Sequence, residues 1–248
     1  MCKLIRAEAY RLFHSRGYVR VMLLTALVMA FMPFFVDFSL LDKNLAENME
    51  SFLLTGSMLI MYVPFASVFF VTAGYMKKTA YYEVMAGNKT SHIIGSKLLV
   101  DGVGIGVIVF VLALALEAVV VIKNGTGGVT DLPARALLFF VICLHVTLLT
   151  VLVGMAVKHF AAAAVLFLRI QLLDMMPAAL LPMLAEKLNL SKETSERILR
   201  CTFSQQIMDV FRADITAEFV IITVASLVVE VVFWYGIVYV TMKKRWYR

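Results

Sequence analysis

The sequence predicts an all-α membrane protein with six transmembrane helices. Three observations predict this fold class: 62% of the 248 residues are hydrophobic, only 16% are charged, and the mean hydropathy is +0.89. A soluble domain of this length could not enclose so much apolar side chain in one core. Because roughly 20 helical residues cross a bilayer, the long apolar runs between charged segments are the predicted spans.

The segment before the first span, residues 1–17, carries a helical pattern with two unlike sides. Its apolar side holds Ile5, Ala9, Leu12 and Phe13, and its polar side holds Lys3, Arg6, Tyr10 and His14. Such a pattern predicts a basic amphipathic helix that lies along the inner membrane interface with its apolar side down. The alternative is a basic flank without defined structure.

Six apolar runs follow the arm. Asp37 blurs the end of the first run, and Arg169 and Asp174 interrupt the fifth. In the third run, Gly102 and Gly106 lie about one turn apart, a spacing that allows close approach of another helix. The six predicted spans cover residues 18–41, 52–76, 98–122, 134–157, 160–181 and 217–242.

Basic residues identify the predicted cytoplasmic side. Segments 1–20, 77–97 and 243–248, together with Lys158, carry a large excess of Lys and Arg, whereas the segments on the other side carry a small negative excess. The positive-inside rule therefore places both termini and the loop 77–97 in the cytoplasm. Anionic lipid headgroups and topology account for the formal net charge of +6, which gives no reason to invoke nucleic acid.

The loop 77–97 contains Gly87-Asn88-Lys89-Thr90, which looks at first like a phosphate loop. A phosphate loop needs two glycines at a fixed spacing after a strand, but here Asn88 stands at the second glycine position and no strand is predicted before the loop. Nucleotide binding by this chain is therefore rejected. The loop instead predicts two short helical pieces separated at Gly87-Asn88, a protruding elbow with Glu83 at its tip. Such an elbow is either a docking element or a solvated loop that only sets the topology.

A long external segment, residues 183–216, precedes the last span. Ser191 is a predicted N-cap, and apolar residues then recur at roughly helical spacing between charges. The pattern predicts one or two amphipathic helices that lie on the outer leaflet or dip into it.

Three ionisable residues are predicted to lie near the middle of the membrane: His145, Arg169 and Glu230. An intramembrane ionisable group is costly unless it is paired or hydrated. The three residues are either a structural lock between the fourth, fifth and sixth spans or part of a transport path. Asp101, one turn from Lys97, is predicted to pair with it locally.

At the level of layout the chain resembles the ABC-2 type permeases, the membrane subunits of ATP-binding cassette exporters. The shared features are a basic amphipathic arm, here KLIRAEAYRLFHSRGY, six spans, and a long external segment before the last span. The most specific likeness is in the first cytoplasmic loop: Glu83, Gly87, the pair Ile93-Ile94, and Lys97 at the entry to the third span. The turn departs from the family, which more often has an Arg where this chain has Lys89-Thr90.

This resemblance implies a single transmembrane domain, residues 1–248, with the architecture of type V exporters. It implies that the loop docks in a groove of a separate ATPase, with contacts from Tyr82, Glu83, Gly87, Asn88, Lys89 and His92. It also implies two copies of that cytoplasmic ATPase, which hold the ATP and Mg²⁺, and a second permease copy or a related permease. The chain itself would be non-catalytic and hold no cofactor or metal. The implied location is a bacterial plasma membrane, with export of a peptide, a lipid or an amphipathic antibiotic, as in antimicrobial peptide resistance.

Two other classes of function stay open. An ion-coupled secondary transporter would explain His145, Arg169 and Glu230 without an ATPase, although such carriers usually show repeat-related halves. An intramembrane enzyme is less favoured, because His145 and His159 lack the spacing of a metal-binding motif and no nucleophile motif is present.

Overall fold

The computed structural model describes residues 1–14, 83–124, 131–157, 190–212 and 214–246, with a few single positions between these ranges. The predicted all-α class is confirmed for the described part of the chain, in which every regular element is helical. The first and second predicted spans and the fifth, including Arg169, lie almost entirely outside the described residues.

Seven α-helices and one π-helical segment are described. We number the helices in chain order and call Leu98–Val103 the π segment. The α-helices are α1 (Cys2–His14), α2 (Thr90–Lys97), α3 (Gly104–Asn124), α4 (Leu132–Val157), α5 (Lys192–Arg200), α6 (Phe203–Arg212) and α7 (Ala217–Trp246).

Three helical stretches are long and apolar enough to cross a membrane: Thr90–Val111, Leu132–Val157 and Ala217–Lys244. They confirm the helices predicted for the third, fourth and sixth spans. The third begins at Thr90 rather than at residue 98, because Lys97 and Asp101 lie inside the helical run and are buried there. Neither residue marks the end of a span.

The predicted break at Gly87-Asn88 is confirmed and has a specific geometry. Gly87 has φ of 78°, a left-handed conformation that glycine adopts without steric cost. The Gly87 N–H donates to the Val84 carbonyl at 2.8 Å, and the Asn88 N–H donates to the Glu83 carbonyl at 3.3 Å. This pair of bonds is a Schellman motif, which ends the preceding helical turn before α2 begins.

Helix α4 is the centre of the described core. Apolar side chains of α3, α6, α7 and the π segment pack around it in two main clusters. The close approach predicted at Gly102 and Gly106 is confirmed, since a Cβ atom at these positions would lie 2.6 Å from Leu148 Cδ2 and 2.8 Å from Leu144 Cδ2. Helix α7 lies at the periphery, with most of its valines exposed.

The predicted amphipathic arm is helical, but its apolar side does not face down onto the membrane. Leu12 is buried in the core, with Ile5 and Ala9 packed against the same cluster, so these residues contact other helices of the chain. Phe13, assigned to the same apolar side, is instead 62% exposed. The arm packs against α2 and the π segment, and the charged residues of the arm find ion-pair partners there.

The external segment was predicted to form one or two helices, and it forms two, α5 and α6. The Ser191 hydroxyl accepts a hydrogen bond from the Thr194 N–H at 3.1 Å, which confirms the predicted N-cap of α5. Helix α6 inserts Phe203, Ile207 and Val210 into the core beside α4. Helix α6 therefore packs into the helical body, whereas no residue of α5 is buried.

Candidate functional site

Five charged residues from separate parts of the chain meet at the predicted cytoplasmic end. We call them the charge cluster: Glu8, Arg11, Glu83, Lys97 and Asp101. The arm contributes two, the helical turn at residues 83–85 one, α2 one and the π segment one. The cluster therefore joins the arm, the loop and the third span.

The contacts within the charge cluster form a chain of ion pairs. Arg11 Nε lies 2.7 Å from Glu8 Oε2, and Arg11 Nη2 lies 3.3 Å from Asp101 Oδ2. Lys97 Nζ contacts Glu8 Oε1 directly and lies 3.9 Å from Glu83 Oε1. The side chains of Glu8 and Lys97 are each only 3% exposed, so their pair is held away from water.

The pKa values of the two glutamates are shifted in opposite directions, although burial raises both. Burial by itself raises the pKa of Glu8, but Lys97 and Arg11 outweigh it and hold that pKa below its ordinary value. Burial also raises the pKa of Glu83, and the adjacent Glu8 adds to this effect, so the Glu83 pKa lies above its ordinary value. Glu8 is therefore the carboxylate that the cluster stabilises in its charged form, whereas Glu83 is harder to ionise than an ordinary glutamate.

Two predictions about these charges are wrong. Glu83 is not an exposed tip of the elbow, because its side chain is 21% exposed and turns toward Lys97. Asp101 has Arg11 as its ion-pair partner, whereas it was predicted to pair locally with Lys97. Both side chains lie where the arm packs against the third span: Arg11 of the arm pairs with Asp101, and Glu83 contacts Lys97, which is itself paired with Glu8 of the arm.

The other predicted docking residues surround an exposed turn. Gly87 and Lys89 are exposed, His92 is half-buried, and Asn88 donates its Nδ2 hydrogen to the Glu83 carbonyl at 2.9 Å. Tyr82 lies outside the described residues. The most exposed apolar side chain of the turn is Met85, at 69%, a residue that the sequence analysis did not single out. We call Met85, Ala86, Gly87 and Lys89 the loop tip.

The structure brings together two of the three residues predicted at mid-membrane depth. His145 Nε2 of α4 lies 2.8 Å from Glu230 Oε2 of α7. The His145 side chain is 4% exposed and that of Glu230 is 24% exposed. Arg169 lies outside the described residues, and Glu230 makes a further interaction besides the one with His145. His145 Nδ1 is buried and has no hydrogen-bond partner within the described chain.

The arm residues of the charge cluster were missed by the sequence analysis. The spacing of Glu8 and Arg11, three residues apart on a helix, was a visible signal for a local pair. No signal in one sequence indicates that this pair lies against Lys97, which is 89 residues away from Glu8.

The described part of the chain is that of an all-helical protein with three helices long and apolar enough to cross a membrane, and it contains these two buried polar sites. Among the described residues, no group of three or more His, Cys, Asp or Glu side chains is arranged to hold a metal ion. No family model matches the chain, and neither a curated protein nor a solved structure is significantly similar to it.

Proposed function

We propose that the chain is the membrane subunit of an ATP-driven exporter of the ABC-2 permease type. Two copies of a separate cytoplasmic ATPase bind the loop and hydrolyse ATP, and a second permease copy or a related permease completes the pathway. The cargo is a peptide, a lipid or an amphipathic antibiotic. The chain itself carries no catalytic residue, and it works in a bacterial plasma membrane.

The observation that carries this proposal is the position of Lys97. It lies inside the third span, which begins at Thr90, and reaches both Glu8 of the arm and Glu83 of the loop. A buried ion pair is strongly resistant to separation, because each partner left alone would be an uncompensated charge in a medium of low dielectric constant. A force applied to the loop passes along α2 to Lys97 and, through the buried Lys97–Glu8 pair, to the arm.

The loop tip supplies a surface for the ATPase. Its four residues are exposed, and the Schellman motif at Gly87 holds the turn in one conformation. A rigid exposed turn anchored to a buried charge cluster suits a coupling element, which must transmit a movement rather than absorb it. In the cycle we propose, closure of the ATPase dimer pushes on the loop tip and tilts the helices from an inward-facing to an outward-facing arrangement.

Affinity purification of the tagged full-length chain from its native membrane tests this function. We expect a soluble ATPase to co-purify with the wild-type chain and to be lost with Met85→Asp, which places a charge on the loop tip. Met183→Asp is the matched control, since Met183 is 65% exposed in the segment predicted to be external. This control variant should retain the ATPase.

The result that would contradict the proposal is a wild-type chain that purifies alone and still moves a substrate on an ion gradient. That outcome would support the alternative, an ion-coupled secondary transporter. The His145–Glu230 pair is the observation that favours this alternative, because a buried imidazole beside a carboxylate at mid-membrane depth can take up and release a proton.

A further inference from the structure

The inner face of α7 carries polar residues from its external end to its middle. Thr223, Ser226 and Glu230 follow at spacings of three and four residues, which puts them on one face of the helix. Thr223 is buried, Ser226 and Glu230 are half-buried, and Val224 and Val228 on other faces are exposed. Helix α7 thus turns these polar groups toward α4 and α6, and Val224 and Val228 outward.

Gln206 of α6 is fully buried against this polar face. Its Nε2 group donates to the Arg200 carbonyl at 3.1 Å and to Ser226 Oγ at 2.9 Å. The Ser226 hydroxyl in turn donates to the Thr223 carbonyl at 2.9 Å. Gln206 Oε1, however, has no hydrogen-bond partner within the described chain.

His145 Nδ1 is a second buried atom without a hydrogen-bond partner in the described chain, and it lies about one helical turn deeper than Gln206 Oε1. Ser226 and Glu230 are four residues apart, which is roughly 6 Å along α7. Glu230 bonds to His145, whose Nδ1 also lacks a partner in the described part of the chain. A buried polar atom without a partner is costly, and ordered water is the usual way in which proteins satisfy one.

Polar side chains also continue from Gln206 toward the outer surface. Gln205 Nε2 donates to Asp209 Oδ1 at 2.8 Å, and Asp209 Oδ2 lies 3.5 Å from Arg200 Nε. The Arg200 side chain is 31% exposed at the end of α5. Polar groups are therefore present at each level between the surface of the α5–α6 pair and Glu230.

We propose that these groups line a hydrated path from the α5–α6 side of the membrane to the His145–Glu230 pair, and that the pair exchanges protons with that side. Water molecules along the path satisfy Gln206 Oε1 and His145 Nδ1. With His145 Nε2–H donated to Glu230, the lone pair on Nδ1 accepts a proton from hydronium and leaves a water molecule behind. The charge of the pair rises by one, and release along the same path reverses the step.

The inference is independent of the ATPase proposal, since it concerns only α4, α6 and α7. The titratable group that the described helices bring to Glu230 is His145, and Arg169 lies outside the described residues. An exporter or an ion-coupled carrier could each use such a path.

Cysteine accessibility in intact cells tests the path. In a background without Cys2, Cys143 and Cys201, we expect Ser226→Cys to react with a membrane-impermeant methanethiosulfonate reagent added outside, because thiols react with it in water. Val228→Cys is the matched control: it lies only about 3 Å deeper but faces outward, so it should stay unlabelled. Lys192→Cys, on the exposed face of α5, identifies the side of the membrane.

A variant that carries both Ser226→Cys and Lys192→Cys controls for folding. If this protein is monodisperse and is labelled at position 192 but not at position 226, the path is overturned. Equal labelling at Val228→Cys would overturn it as well, because the reagent would then reach that depth without a specific route.

Proton exchange is tested by fluorescence. Trp234 lies one turn from Glu230, and Trp246→Phe leaves it as the single tryptophan. In lipid nanodiscs we expect Trp234 emission to titrate with pH, and the transition to disappear in His145→Gln but persist in the control His14→Gln. A flat emission profile, or a transition unchanged in His145→Gln, would overturn proton uptake by the pair.

Discussion

Lys97 is the residue whose role depends most on its neighbours. In the sequence it marks the boundary between a loop and an apolar run, where a lysine usually extends toward water. In the structure its side chain is 3% exposed and contacts Glu8. Two opposite charges remain buried here because each satisfies the other, a condition that requires the arm and the third span to be in place together.

The two glutamates of the charge cluster are expected to contribute to stability in opposite ranges of pH. Glu8 has a lowered pKa, so it stabilises the fold above its ordinary value of 4.5 and loses that contribution as pH falls below it. Glu83 has a raised pKa, so its contribution is present below 4.5 and is lost as pH rises through the raised value. At neutral pH we expect Glu8→Gln to lower the thermal unfolding temperature and Glu83→Gln to maintain or raise it.

Thermal unfolding of the detergent-solubilised variants across a pH series measures this difference. Glu83→Gln should also flatten the decline in stability that accompanies rising pH, whereas Glu8→Gln should flatten the decline at acidic pH. Equal destabilisation by both substitutions at neutral pH would show that the two carboxyl groups have the same role. That result would contradict the opposite pKa shifts of Glu8 and Glu83.

At the scale of elements, the third span combines an entry helix, a π segment and a long α-helix. The π segment carries Asp101, which it presents to Arg11 of the arm. Irregular turns of this kind occur frequently at functional sites in helices. Further along, the two glycines Gly102 and Gly106 bring the span against α4.

Close packing at Gly106 predicts an unequal effect of two similar substitutions. A Cβ atom at Gly106 would lie 2.8 Å from Leu144 Cδ2 and 3.0 Å from Thr147 Oγ1, so Gly106→Ala forces both neighbours to move. We expect a loss of about 1 kcal/mol or more in the free energy of unfolding. Gly104→Ala meets no atom within 4 Å and should stabilise the helix by roughly 0.5 to 1 kcal/mol. Thermal unfolding of the two variants checks the sign of each change.

The α5–α6 pair, called the external hairpin below, is joined to the rest of the helices by a buried arginine. Arg135 Nη1 donates to the Val210 carbonyl at 2.6 Å, which satisfies one of the free carbonyls in the last turn of α6. Arg135→Gln should destabilise this attachment by about 1.5 to 3 kcal/mol. Hydrogen–deuterium exchange in residues 203–212 should accelerate while exchange in residues 83–103 stays unchanged.

Arg197→Gln is the matched control for the arginine at position 135. Arg197 makes two ion pairs, with Glu193 at 2.9 Å and Glu218 at 2.8 Å, but all three side chains are about half exposed or more. Exposed pairs contribute little to stability. Exchange that accelerates equally in both variants would mean that the hairpin is held by its surface charges rather than by Arg135.

At the scale of the whole molecule, the two ends of the described helices differ in how they carry charge. At the loop end, Glu8, Glu83 and Asp101 are buried or half-buried within the cluster, while Lys89 is exposed. At the other end, acidic and basic side chains are both exposed on α5. The orientation itself is predicted by the positive-inside rule from the Lys and Arg counts of the sequence.

The orientation gives a direct prediction. Lys89→Cys and Lys192→Cys both place a thiol on an exposed surface, at opposite ends of the helices. In intact cells, an impermeant reagent should label only Lys192→Cys, and permeabilised cells should show labelling at both positions. Labelling of Lys89→Cys in intact cells would reverse the orientation and place the loop tip out of reach of any cytoplasmic ATPase.

Much of the described fold was predictable because its signals are local. The apolar length of α4 and α7, the glycine spacing in the third span, the break at Gly87 and the N-cap at Ser191 each depend on a few neighbouring residues. His145 and Glu230 were also predicted at similar depths, since depth follows from position along a helix. The sequence did not predict the partners of Glu8, Arg11 and Asp101 or the inward turn of Glu83, since these depend on how the arm packs against the third span.

The sequence by itself determined that this is a helical membrane protein, where its described spans lie and which end is basic, because bilayer thickness and hydrophobicity act on each segment separately. Only the tertiary structure decided which charges meet. Glu8 pairs with Lys97, and Arg11 with Asp101, because packing of the apolar side of the arm against the third span carries those side chains into contact. An ion pair depends on distance in space, and many sequence separations are compatible with the same distance.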